Sequence, residues 1–458
     1  VTIDGYVLPT YRRETIGDTG CEIVWDTLRE AKGTILCATG HQGRLVRIGD
    51  GDTSQTLADV PEAELTALVS LDDGSVLAAA APSGRLYRLG SDDTLTTYTT
   101  LENVTWVWRM VRSDDGMLWL ATGAEGRLLR LDPTAKEPKA EEVAHFKSTN
   151  LLDLWIDADG QYGEKGDIYV AGQNPGWLYR YRPSTEKINV VYNSSAEEIR
   201  AVIPAKQGLA LALNTERAPT PVALNLTLRM AGGATSTPES MTSDAGANAT
   251  DNADQAKTLS KAFAASGGQY GVPRSEIVLL DTMGFDRKIW QSPERPIHDL
   301  VLSPEGDLLA SAGKQGRLFE VKDDGSFSVV CDLREDYLVS IRPDEKGYLL
   351  ATGRNGLVID MGRTRVEEAT YLSRAVDAGS LVKWGKYYWR GDLAKGQSVK
   401  VAFRLGNDGD VDSDFWSDWS KDVKLKNGES IAMPAGPARY LQYRLILAQD
   451  AADMQPVR

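Results

Sequence analysis

The residues in this chain with the most chemical potential recur at one place. Seven and eight positions ahead of a repeated glycine stand Trp25-Asp26, Trp108-Arg109, Arg200-Ala201 and His298-Asp299, and a longer turn makes Leu152-Asp153 the matching pair in a fifth copy. Asp26, Asp153 and Asp299 offer paired carboxylates, and His298 beside Asp299 offers a base. Acid–base work, however, needs separations and pKa values that spacing alone does not supply. Trp25 and Trp108 offer flat apolar platforms, with Arg109 and Arg200 beside them, suited to a sugar or the tip of a peptide. The competing reading is that Asp and Arg neutralise one another between neighbouring elements, since unpaired buried charges would cost several kcal/mol. Side chains alternate along a strand, so only one of the two rows is expected to dominate a shared wall.

Other chemistry is thin. Asp408, Asp410, Asp412 and Asp414 space carboxylates every second residue, as calcium loops do. The run departs from the EF-hand pattern, with Ser413 in the place of the glycine and Trp419 at the twelfth position, so calcium stands against a solvated acidic turn. No other cofactor is indicated. There is no G-x-S-x-G elbow, H-E-x-x-H helix or phosphate-binding loop. Three cysteines without a C-x-x-C pair and three histidines point away from a disulfide framework and a structural zinc site. The net charge of -14, with acidic residues spread along the chain, disfavours nucleic acid as a partner. No apolar run approaches the ~18 residues of a membrane span.

The elements that must position these residues follow from a repeat. A glycine, an apolar run, a turn ending in glycine and a second apolar run appear as Gly33-TILCATGHQ-Gly43-RLVRI and return beginning at Gly74, Gly116, Gly166, Gly306 and Gly347. A seventh copy begins at Gly208 with its turn interrupted. A period near forty residues with two-residue apolar alternation is the signature of four-stranded propeller blades. The apolar strand before each first glycine (IVWDTL in the first copy) is placed innermost, and a polar strand such as TSQTL outermost. The last copy lacks an outermost strand, and an open edge invites aggregation, so the N-terminal segment around Ile3 to Tyr11 is expected to supply it. The arginine after the turn glycine in four copies (Arg44, Arg85, Arg127, Arg317) is read as a repeated surface or inter-blade hydrogen-bonding residue.

From Gly208 to Gly306 is 98 residues, more than fifty beyond one period, and the surplus at residues 216–273 turns rich in Ala, Gly, Ser and Thr. It falls in the middle turn of blade five. Within it Val222, Leu224, Leu226, Leu228 and Met230 alternate with other residues as a strand does, and are the candidates for self-assembly by strand addition.

From about Thr364 the period stops and six short strands follow, from YLSRAV to RYLQYRLILAQ. The expected fold is all-β: a seven-bladed propeller over residues 1–363, then a small fibronectin- or jelly-roll-like β-sandwich over 364–458. The propeller phrase resembles NHL-like and two-component-regulator-type propellers of secreted bacterial proteins, and the tail TYLSRAVDAG…FWSDWS…ARYLQYRLIL resembles the sandwich that follows them. Trp416-Ser417-Asp418-Trp419-Ser420 matches the W-S-x-W-S box of fibronectin-type domains in cytokine receptors, with Arg404 as the expected stacking cation.

The resemblance implies export, to the periplasm, cell surface or exterior, and a start at Val1 without a charged or apolar leader fits a processed product. The expected function is non-enzymatic binding or assembly of protein partners, including self-association through 216–273, with carbohydrate as a further ligand. The alternative is a polysaccharide lyase or hydrolase using the channel mouth.

Overall fold

The computed structural model describes residues 10–49, 51, 53–215, 275–292, 296–313, 316–333, 337–391, 393, 396–411 and 413–448. The candidates Val222, Leu224, Leu226, Leu228 and Met230, with Asp412, lie outside them. Among the described residues every named element is a strand, and no helix is long and apolar enough to cross a membrane.

Each repeat folds as an antiparallel meander because short turns join consecutive strands of about six residues. In the first, Ile23–Arg29, Ile35–Gly40, Arg44–Ile48 and Ser54–Asp59 pair in that order. The same order recurs from Glu64–Ser70 to Leu95–Thr100, from Val107–Arg112 to Ala140–His145, and from Asn150–Asp157 to Lys187–Asn193. It recurs again from Glu198–Ala205 to Asp286–Ser292 and from Ile297–Leu302 to Phe327–Asp332. In the last group Tyr337–Pro343, Gly347–Gly353 and Leu357–Arg365 are joined by Tyr11–Asp18, antiparallel to Leu357–Arg365. The pairing segment thus lies later than the expected Ile3 to Tyr11, of which 3–9 are outside the described residues. The register explains the shift: Tyr11, fully buried, is where the strand begins, opposite Arg365.

Asn214 and Ser275 sit opposite each other at the ends of Gly208–Asn214 and Ser275–Leu280, so the long intervening segment leaves and re-enters at one turn.

The second strand of each group is buried on both faces, as in Val76–Ala81 and Gly208–Asn214, which accounts for its unbroken apolar and alanine-rich sequence. The cores lie between sheets rather than within them. Leu36, Ala38 and Leu45 pack on Leu65, Ala78 and Ala80 of the next group. At the end of the chain order, Leu349, Ala351 and Val358 pack on Val24, Ile35 and Val46 of the first.

The turn glycine has a steric reason. At Gly126 φ is +60°, and a Cβ would stand 1.9 Å from the Ser148 carbonyl oxygen, where the chain crosses from one sheet to the next. Gly43, Gly84 and Gly356 meet the carbonyls of Glu62, Val104 and Cys21 in the same way. The arginine that follows reaches a nearby carboxylate: Arg85 to Glu62 at 2.7 Å and Arg317 to Asp332 at 2.8 Å.

Beyond Arg365, Glu368–Leu372, Pro437–Ala448, Ser398–Gly406 and Val423–Lys424 form one sheet with Val376–Lys383 also on Pro437–Ala448, and Lys386–Tyr388 pairs Ser430–Ala432. Val399, Val401, Phe403, Leu425, Leu441 and Leu447 form its core. The W-S-x-W-S box runs beside Ser398–Gly406: Ser417 Oγ accepts from Leu405 N–H and Ser420 Oγ from Phe403 N–H. Arg404 stands 5.1 Å from the Trp416 ring and 5.0 Å from the Trp419 ring, with Arg444 5.0 Å from Trp419, so the box is a cation–π ladder.

Candidate functional site

The first strands of the sheets line a common channel, and each is interrupted at the same place. The pairing with the second strand slips between Val24 and Asp26, Leu65 and Ala67, Val107 and Arg109, Leu151 and Asp153. It slips again between Ile199 and Ala201, Ile297 and Asp299, and Leu338 and Ser340. The extra residue is Trp25, Thr66, Trp108, Leu152, Arg200, His298 or Val339. A bulge sets two residues against one partner and re-aims the side chains. Strict alternation therefore does not hold here, and the expectation that one row alone would face the channel is corrected. Trp108 with Arg109, Leu152 with Asp153, His298 with Asp299, and Val339 with Ser340 all line one cavity.

That inner compartment is small, about 50 Å³, and also meets Trp25, Thr66, Arg200 and Arg342. It opens into a vestibule of about 430 Å³ that shares Trp25, Arg200, His298 and Val339 and adds Glu22, Ile23, His41, Tyr337, Gly353 and Arg354. Of the eight residues singled out by sequence, seven meet in the inner compartment. Asp26 lies behind its wall, 2% exposed.

The three aspartates are occupied. Asp26 accepts the N–H of Leu68 in the next sheet at 2.8 Å, its own neighbour Thr27 N–H at 2.8 Å, and Arg342 Nε–H at 2.5 Å. Asp153 accepts Val202 N–H at 3.0 Å, and Asp299 accepts Ile341 N–H at 2.8 Å and Leu300 N–H at 2.8 Å. Each carboxylate thus staples its strand to the innermost strand of the following sheet. Arg109 Nε lies 3.3 Å from Asp153. Desolvation opposes the Arg109 charge, but Asp153, Asp299 and Asp26 more than offset it and hold the guanidinium protonated. Burial pushes Asp26 up to about 7 and Asp299 up to about 6, with Arg109 pulling both the other way, and raises Asp153 against the same pull. Burial, then the Arg200 charge, lowers His298 to about 4, so its imidazole is neutral near pH 7.

The aromatic platforms form a continuous group. Trp106 stacks on Trp108 at 5.0 Å, Trp25 meets Trp106 edge-on at 6.5 Å, and Arg200 lies 5.7 Å from the Trp108 ring. Trp25 Nε1–H donates to Glu64 at 2.6 Å, and His298 meets Tyr337 edge-on at 6.0 Å. Four residues that line the inner compartment carry buried polar atoms without a hydrogen-bond partner: Trp108 Nε1, Arg109 Nε, His298 Nε2 and Ser340 Oγ.

Sequence reasoning missed Arg342, Glu64 and Tyr337. Arg342 was findable, two residues after Ser340 on the same strand face; Glu64 and Tyr337 reach the mouth only through sheet-to-sheet packing.

Among the described residues no group of three His, Cys, Asp or Glu side chains is arranged to hold a metal ion. The calcium candidates Asp408, Asp410 and Asp414 lie on a turn where Arg404 donates to Val411 O and Trp416 Nε1–H to Asp410 O.

No protein-family model matches the sequence, and no curated protein matches it. Solved structures do share its fold. The extracellular domain of the putative one-component system BT4673 from B. thetaiotaomicron aligns with a TM-score of 0.51 at 14% identity, over 87% of this chain and 44% of that one. This chain therefore spans less than half of that neighbour's length. A catalytically inactive virginiamycin B lyase from Staphylococcus aureus with quinupristin aligns with a TM-score of 0.53 at 11% identity, over 77% of this chain and 99% of that one. A streptogramin B lyase structure aligns with a TM-score of 0.52 at 10% identity, over 77% and 98%. At such identities the likeness is one of fold, and the repeated sheets form a β-propeller.

Proposed function

We propose that this protein is a non-enzymatic binding protein that takes its ligand at the mouth of a seven-bladed propeller channel, with the tail after Thr364 as a β-sandwich module. The cyclic order of the inter-sheet cores, from Val24 and Leu349 round to Tyr11 and Leu309, supports seven blades. The observation that carries the binding reading is a division of labour in the inner compartment. The carboxylates that acid–base catalysis would use are spent on stapling blades, while Trp108, Arg109, His298 and Ser340 keep polar atoms without partners. Buried polar groups are ordinarily satisfied, so such a set is what an absent ligand or ordered water would complete. An exported location accords with this reading, since the neighbour from B. thetaiotaomicron is an extracellular domain.

The alternative, a lyase or hydrolase, has one observation in its favour: neutral His298 lines the cavity, and its buried Nε2 has no hydrogen-bond partner. One experiment separates the two. A broad set of peptides, organic acids and oligosaccharides is titrated against the whole chain by tryptophan fluorescence, and the bound compounds are recovered for mass spectrometry. The expected outcome is saturable binding, weakened about tenfold or more by Trp25→Ala, with ligands recovered intact. Turnover that disappears in His298→Ala would overturn the binding reading, and so would binding indifferent to Trp25→Ala.

A further inference from the structure

We infer that the inner compartment is a carboxylate-binding subsite, and that the ligand is a one-ring organic acid whose acid group enters it while the ring stays in the vestibule. The inference rests on the binding reading above and names its ligand class.

Hydrogen-bond demand decides the sign. The aspartates in and behind the compartment are engaged. Both Asp26 oxygens and both Asp299 oxygens take N–H donors, and Asp153 takes Val202 N–H on one oxygen; Arg109 is ion-paired with Asp153 but makes no hydrogen bond to it through Nε. Thr66 Oγ donates to Val107 O at 2.7 Å. What is left over is donor-rich: the indole N–H of Trp108 and the guanidinium N–H of Arg109 can only donate, and the Ser340 hydroxyl and the His298 imidazole can each donate. Ser340 is 5% exposed and has no other use for its hydroxyl among the described residues. A ligand that presents acceptors satisfies this set, and one that presents donors leaves Trp108 and Arg109 unmet.

Charge points the same way. Three guanidinium groups, Arg109, Arg200 and Arg342, line the compartment with two aspartates, Asp153 and Asp299, and Asp26 sits behind Arg342. Arg109 is a third exposed and lines this small compartment, so its charge acts in a confined space where water screens it poorly. Arg200 is aimed inward by donating to His298 O at 3.1 Å and by lying against the Trp108 face.

Size completes the assignment. About 50 Å³ admits a carboxylate and excludes a ring, whereas the vestibule of about 430 Å³ admits one. Its walls carry Trp25 and Tyr337, either of which can stack on a phenyl ring or on the apolar face of a pyranose. Aromatic acids and sugar acids share this chemistry.

Isothermal titration calorimetry of the whole chain with benzoate and with galacturonate, against benzamide and galactose as neutral partners, tests the assignment and separates the two sources. At least one acid is expected to bind about tenfold or more tightly than its neutral partner. That preference is expected to shrink several-fold in Trp108→Phe, which keeps the ring and loses the N–H, and in Ser340→Ala. Circular dichroism on each variant establishes that the sheets are intact. Equal affinity for acid and neutral partner, or an acid preference unchanged in both variants, overturns the carboxylate subsite. So does no binding of either acid at about 10 mM. If in that case other compounds still bind and are lost in Trp25→Ala, the mouth remains a binding site and only the ligand class is wrong.

Discussion

At the scale of single residues, the three aspartates show how burial and hydrogen bonding compete. Asp299 receives two backbone N–H groups and the attraction of Arg109, yet desolvation prevails and its carboxyl rises to about 6. The sign of the consequence follows from linkage. A carboxyl raised above its unfolded value of about 3.9 binds its proton more tightly in the folded chain, so the stability it contributes is complete below pH about 4 and is lost as pH rises to about 6. Asp299→Asn removes the titration while keeping one acceptor for a backbone N–H. The difference in unfolding free energy between native and variant chains is therefore expected to move against the native chain by on the order of 1–2 kcal/mol between pH 4 and pH 6.5. Urea denaturation at a series of pH values reads it, and a difference that is flat with pH would show that Asp299 titrates normally.

At the scale of elements, the repeat is governed by what must not be present at one turn. Gly126 has a positive φ and also sits against a crossing backbone, whereas Gly116 has φ +83° and open space around it. Both substitutions to alanine incur the left-handed penalty of about 1 kcal/mol. Only Gly126→Ala forces Ser148 and its connection to move, since the added carbon would overlap a carbonyl that packing holds in place. Gly126→Ala is thus expected to lower stability by about 2 kcal/mol or more beyond Gly116→Ala, read as the shift in urea midpoint at constant slope. Equal shifts would mean the crossing connection gives way freely. The bulge in every innermost strand belongs to the same scale: it interrupts pairing at one residue and turns two consecutive side chains toward the channel.

At the scale of the whole molecule, closure depends on the strand farthest in sequence from its partner. Tyr11–Asp18 covers the edge of Leu357–Arg365. Its buried Tyr11 hydroxyl lies 2.7 Å from Glu305 and 2.7 Å from Glu320, and Arg365 lies 4.6 Å from the ring while pairing with Glu320. A chain lacking residues 1–18 bares that edge and uncovers Leu318 and Met361 beneath it. Light scattering is expected to find it as soluble aggregates, while Tyr11→Phe stays monodisperse and loses about 1–3 kcal/mol. A truncated chain of unchanged particle size and stability would mean the closing strand is dispensable.

What the sequence alone determined was periodic. Recurring glycines, apolar runs of strand length and a forty-residue spacing identify repeated antiparallel sheets, and counting back from those glycines places Trp25, Asp26, Trp108, Arg109, Asp153, Arg200, His298 and Asp299 on the innermost strands. Local sterics and burial write these features directly into residue order, so they are legible without a structure. Which atoms remain unsatisfied was decided only by the tertiary structure. Asp26 finds Leu68, Asp299 finds Ile341, and Arg342 comes to Asp26 from the other end of the chain, leaving Trp108 and Ser340 unpartnered. Hydrogen-bond satisfaction is a property of groups brought together across hundreds of residues, and neither spacing nor composition encodes the partner.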